Sequence, residues 1–211
     1  MSTQTLSGKF AYPNRMGRII LASMRQELQA ERLAEVLAMA GLSYLAAHPP
    51  PGNLERRFPF ESVSALQAAT EQVFGVKAGR QLNYRIGRGT LGLGLKEFDP
   101  LLGIADLPMR LVPLGMKFRV GLDVFARVFN QFSDQVVRLS EDDRHLLWII
   151  ERCPVCWSRH VDKPVCYAAV GLLQEGLRWV SGGKEFRVDE VTCRAAGDPH
   201  CTFACYKEPI G

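Results

Sequence analysis

Apolar side chains recur at helical spacing early in the chain, with Met16, Ile20, Met24 and Leu28 followed by Leu33, Val36 and Leu37. The spacing predicts one amphipathic helix from Asn14 to Ala40, capped by Gly41, behind a polar arm of residues 1 to 13. His48-Pro-Pro-Pro-Gly52 then breaks the chain and is the best candidate for a linker. A second helix is predicted from Ser62 to Gly75, with Phe60 as a hydrophobic staple, and a third from Lys77 to about Arg88. It passes into a glycine-rich stretch and a loop punctuated by Pro100, Pro108 and Pro113. From Gly115 to Ser133, Phe118, Leu122, Phe125, Phe129 and Phe132 draw a nearly unbroken apolar stripe along one face of a further helix.

The period then changes. Gln135 to Ser140 and His145 to Arg152 read as a hairpin around Glu141-Asp142-Asp143. Asp162 is the expected cap and Pro164 the first-turn residue of a mostly apolar helix that carries Cys166 at its start. Two further β-patterned runs flank Gly197-Asp198-Pro199. Helices first and ββαββ afterwards imply an antiparallel sheet with helices packed on it, the α+β class. The expected organisation is a single α+β domain over 1 to 211, divided into an N-terminal arm and helix (1 to 52), a helical layer (53 to 133) and a sheet-bearing module (134 to 208).

Composition narrows the class. With 47% hydrophobic and 23% charged residues and a formal charge of +4, the 211-residue chain reads as an ordinary soluble globular protein. Its arginines are dispersed and no aromatic side chains interleave with them, so direct nucleic-acid binding is not expected. No signal peptide and no membrane span are visible, and cysteines with metal-like spacing favour a reducing, cytoplasmic setting. Gly87-Arg-Gly89-Thr-Leu-Gly92 is a literal G-x-G-x-x-G. It lacks the strand before it and the long helix after it that dinucleotide binding needs, so close helix packing is the better reading.

Candidate chemistry concentrates between Asp162 and Glu208. Cys166, Glu190, Cys193 and Cys201 offer three sulfur ligands and a carboxylate, a set suited to a tetrahedral Zn2+ ion. Cys166 at a helix start has its thiolate favoured by the helix dipole, and Cys193 and Cys201 flank a tight turn. Glu190 and Cys193 point to opposite faces of a regular strand and can share a metal only across a bulge or a strand end. Cys153-x-x-Cys156 could add ligands, hold a second metal or an iron–sulfur cluster, act as a redox dithiol, or be two structural thiols. Cys205 is a further possible ligand, and His200 could replace Glu190. No catalytic constellation can be assembled from the serines, histidines and carboxylates.

The pattern of Cys166, Glu190-x-x-Cys193, Gly197-Asp198 and Cys201-x-Phe203 resembles the 4-vinyl-reductase, or hydrocarbon-binding, domain family over roughly residues 134 to 208. That family includes the sensor domains of aromatic-responsive sigma-54-dependent activators and a protein linked to bacteriochlorophyll synthesis, and it is similar to TRAPP-complex subunits. The resemblance implies an α+β, TRAPP-subunit-like fold, a structural zinc on Cys166, Glu190, Cys193 and Cys201, and frequent homodimers. Cys153, Cys156 and Cys205 are not part of the sensors' motif. In the sensors a tryptophan and a histidine hold the ligand's polar group; Trp148 could take the first role, but the helix from 115 to 133 carries no histidine.

The expected function is a zinc-stabilised module that binds a small hydrophobic ligand, hydrocarbon or tetrapyrrole-like, in a pocket walled by Phe118, Leu122, Phe125, Phe129, Phe132 and Trp148, and that signals through a separate partner. Two alternatives stay open at this point. One is a tetrapyrrole 4-vinyl reductase or its accessory protein, for which no nicotinamide or flavin site is visible. The other is a structural or assembly dimer.

Overall fold

The computed structural model describes residues 9 to 102 and 113 to 210, with the side chains of residues 99 to 102 left out. The arm before Lys9 and the loop around Pro108 fall outside the described residues. The order is β1 (Ala11–Pro13), α1 (Asn14–Glu27), α2 (Ala30–Met39), β2 (Arg56–Pro59), α3 (Phe60–Phe74), α4 (Val76–Leu102) and α5 (Leu114–Phe132). The hairpin β3 (Val137–Glu141) and β4 (His145–Ile150) follows, then α6 (Tyr167–Ser181), β5 (Phe186–Thr192) and β6 (Cys201–Pro209). N-terminal helices thus precede a ββαββ antiparallel unit whose strands lie in the order β3-β4-β6-β5. The fold is α+β.

Four local expectations are corrected. The helix predicted over 14 to 40 is two helices, because Leu28 is extended at φ −121° and ψ 138°. The stripe itself carries the signal: a five-residue step from Leu28 to Leu33 would swing the apolar face by about 140° on a continuous helix, so the chain breaks and turns α2 against α3 while α1 packs on α4. Residues 11 to 13 are not all loose arm, since β1 pairs with β2; strands this short leave no period to read. The third helix does not stop near Arg88 but continues through Pro100 to Leu102, tertiary packing overriding the glycines' low helix propensity. Asp162 and Pro164 lie before the last helix, whose N-cap is Cys166.

Two of those glycines explain the continuation. A methyl group at Gly87 would collide with the carbonyl oxygen of Ala168, and one at Gly171 with that of Tyr84. Helices α4 and α6 therefore cross backbone against backbone, which only glycine permits. The crossing presses α6 between α4 and the sheet, with Leu173 and Leu177 fully buried. On α5 the predicted stripe faces the same core: Phe118 meets Phe186 edge-on at 4.4 Å, and Phe129 meets Trp148 at 6.1 Å. The hairpin turn is fixed by Asp142, whose carboxylate accepts the backbone N–H groups of Arg144 and His145 at 2.8 and 2.7 Å.

Candidate metal centre and ligand pocket

Three segments converge at the N-terminus of α6. The loop after β4 carries Cys153 and Cys156, the helix start carries Cys166, and the β5–β6 connection carries Cys193 and Cys201. Glu190 reaches the group because the β5–β6 register shifts between Glu190 and Thr192 and the strand ends there, with Val191 turned out to solvent. That is the bulge the sequence spacing demands. Beyond it the Asp198 carboxylate accepts the Cys193 N–H at 2.8 Å, and Gly197 at φ +99° closes the turn that starts β6 at Cys201.

The sulfur spacing is specific. Sγ–Sγ distances are 3.7 Å for Cys153–Cys166, 3.4 Å for Cys156–Cys201, 3.9 Å for Cys166–Cys193 and 4.0 Å for Cys166–Cys201. Disulfides would need ~2.0 Å. Four thiolates around Zn2+ at ~2.3 Å would stand about 3.8 Å apart, the edge of the tetrahedron. Two groups of ligand atoms lie mutually within 4.8 Å: Cys153, Cys156, Cys166 and Cys201, and Cys166, Glu190, Cys193 and Cys201. The cluster could hold a metal ion. Cys205, buried four residues along β6, belongs to neither group, and His200 turns to the Thr202 hydroxyl at 3.0 Å.

Electrostatics point the same way. One oxygen of Glu190 accepts the Cys166 N–H at 2.7 Å, while Oε1 is buried with no hydrogen-bond partner. Burial, only partly offset by the bond from Cys166, pushes its carboxyl up to about 9. The thiols compete for protons. Cys153 holds Cys156 low, and Cys193 falls to about 6, its contact with Cys156 opposing and those with Cys166 and Cys201 producing the shift. Burial raises Cys166, contact with Cys156 raises Cys153, and contacts with Cys153 and Cys156 raise Cys201. The backbone N–H of Arg194 donates to Cys201 Sγ at 3.3 Å. An orphaned carboxylate oxygen among crowded thiols is what a divalent cation satisfies, since it favours their ionised forms outright.

Directly beneath the cysteine loop lies an apolar pocket of about 600 Å³, its mouth included. Pro154 and Val155, the two residues between the loop cysteines, form part of its wall, as do Ala168 and Ala169 just past Cys166. Met16 and Ile20 close it from α1, Leu172 and Leu173 from α6, and Phe129 and Trp148 from α5 and β4. Gln67 also lines it, and the side-chain Oε1 of Gln67 is buried without a partner. A second hollow of about 430 Å³ shares Met16, Thr90, Phe129 and Leu172 with the first and is walled in addition by Phe125 and Phe98. Of the six pocket residues expected from sequence, Phe129 and Trp148 line the main pocket and Phe125 and Phe129 the second. Phe118 and Leu122 instead sit in the packed core, and Phe132 stacks near Phe98 at 6.2 Å. Gln67 and Met16 carried no sequence signal beyond helical periodicity.

This arrangement defines a class: a helical layer over a four-stranded sheet, as in H-NOX proteins. The Fe(II) unliganded H-NOX protein from K. algicida superposes with a TM-score of 0.58 at 10% identity, covering 94% of this chain and 97% of that one. An S. oneidensis H-NOX protein in the Fe(II)NO state gives 0.51 at 13% identity, over 92% and 99%. At the sequence level, residues 148–206 match the family model of the 4-vinyl-reductase domain, a stretch that holds all six cysteines and Glu190. The resemblance to that family thus covers the segment that builds the cysteine centre. The phenol-responsive sensory domain of the transcription activator PoxR, solved with phenol, is a weaker structural match at a TM-score of 0.44 and 17% identity, over 72% of this chain and 77% of that one. No curated protein matches the chain. Among the described residues no helix is long and apolar enough to cross a membrane.

Proposed function

We propose that this protein is a zinc-stabilised module that binds a small, largely apolar molecule and reports its presence to a separate partner. The observation that carries the reading is the shared wall. Pro154-Val155 and Ala168-Ala169 belong both to the pocket and to the chain immediately beside the metal-ligand cysteines. Zinc, held by Cys166, Glu190, Cys193 and Cys201, would clamp the start of α6 to the final hairpin and so fix that wall. The volume and apolar lining suit a small-molecule site with few polar anchors. Gln67 supplies such an anchor, because a ligand hydroxyl or N–H would satisfy its unpartnered oxygen. The resemblance to a family that includes aromatic-responsive sensors makes aromatic alcohols a sensible first set of compounds. Signalling would follow from a difference in ligand affinity between two arrangements of this wall or of a homodimer contact.

The test is direct binding of N-phenylnaphthylamine, an apolar fluorescent probe, to zinc-loaded protein, with small aromatic compounds as competitors. Ala169→Phe, which fills the pocket, should abolish probe binding while zinc content stays unchanged. Undiminished probe binding in that variant, or none in the unaltered protein, would refute the pocket.

A further inference from the structure

The reading above uses four ligands, yet the fold gathers six. We infer that the centre is built for two divalent ions. One would sit on Cys153, Cys156, Cys166 and Cys201, the other on Cys166, Glu190, Cys193 and Cys201, with the thiolates of Cys166 and Cys201 bridging them. The inference rests on the metal-binding reading of this cluster and adds its composition and stoichiometry.

Three observations carry it. Both ligand groups are complete, each with four protein atoms mutually within 4.8 Å, and they share two sulfurs 4.0 Å apart, a separation two bridging thiolates can span. Neither group alone accounts for the cluster. An ion on the four cysteines alone leaves Glu190 Oε1 buried and unpartnered, with Cys193 beside it as a spare thiol. An ion on the glutamate set alone leaves Cys153 and Cys156 buried against its sulfurs at 3.7 and 3.4 Å. Burial by itself does not gather thiols here, since Cys205 is equally buried on the same strand and stands outside. Third, Cys153-x-x-Cys156 has the spacing of a ligand pair in structural zinc sites.

Charge does not oppose the second ion. Three thiolates and a carboxylate around one divalent ion sum to −2. Cys153 and Cys156 would then each release a proton to solvent as the second ion binds, adding two negative charges and two positive ones. The buried net charge stays at −2, so the second ion brings no new uncompensated charge into the core.

The decisive experiment is a Co2+ titration of metal-free protein under reducing conditions. Thiolate-to-cobalt absorption should saturate near two equivalents, and the electron-paramagnetic signal that grows with the first equivalent should fall with the second as the bridged ions couple. In Cys153→Ser/Cys156→Ser the absorption should saturate near one equivalent and the signal should persist. Saturation of the unaltered protein near one equivalent, with no fall in signal, overturns the two-ion centre and leaves the single zinc standing. No cobalt binding at all overturns both. The unaltered-protein titration needs no variant to fold, and elemental analysis of the purified chain gives an independent count.

Discussion

Replacing Glu190 by Gln should have opposite effects on the metal-free and metal-loaded protein. In the metal-free chain burial holds the Glu190 carboxyl at about 9 against an ordinary value near 4.5. Above pH 4.5 the unfolded chain releases this proton while the folded chain keeps it, so folding becomes less favourable as pH rises towards 9. At pH 7, about 2.5 pH units above the ordinary value, the loss amounts to about 3 kcal/mol. The substituted amide needs no proton, and its carbonyl can still accept the Cys166 N–H. The chelated variant should therefore be more stable than chelated wild type at pH 7, by up to about 3 kcal/mol less the cost of burying the amide. It should also lose most of the wild type's decline between pH 5 and 8. With metal bound the sign reverses: the ion favours the charged carboxylate, and a neutral amide should bind it at least about tenfold more weakly. Urea unfolding at several pH values, with chelator and with zinc, measures both. A Glu190→Gln variant less stable than wild type in chelator, or with unchanged metal affinity, would refute this account of Glu190.

Three further predictions test the frame around the centre. Gly171→Val should cost about 3 kcal/mol or more in thermal or urea unfolding, because the side chain meets the Tyr84 carbonyl across the α4–α6 crossing. Asp198→Ala removes the acceptor of the Cys193 N–H and should lower both stability, by about 1–2 kcal/mol, and zinc affinity measured by competition with a chelator; Asp198→Asn should retain most of each. Cys205→Val should leave metal content by elemental analysis unchanged, since burial pushes this thiol up to about 12 and it lies outside both ligand groups.

Much of the architecture was legible because long elements repeat their signal. The ββαββ order, the cysteine at the start of α6 and the apolar face of α5 follow from period and from turn residues. The split between α1 and α2 was also written in the chain, as the five-residue step from Leu28 to Leu33, but a stripe read residue by residue hides a change of phase. What could not be read depends on partners distant in sequence. Gly87 looks like a helix breaker until Ala168 is placed against it. Asp162 looks like a cap until Glu190, twenty-four residues past Cys166, takes the Cys166 N–H. At the centre, the meeting of Glu190 and Cys193 required a bulge that the spacing demanded but could not locate. The pocket was least legible: its wall draws on α1, α3, α4, α5, α6 and the cysteine loop at once, and half of the α5 stripe serves packing instead.

The most direct test of the central claim is native mass spectrometry of freshly purified protein, before and after soaking with a small aromatic alcohol. The account predicts chains that carry zinc and take up one apolar molecule, with that uptake lost when the zinc is stripped, because the metal centre and the pocket share a wall. Metal-free chains, or ligand uptake indifferent to the metal, would contradict it.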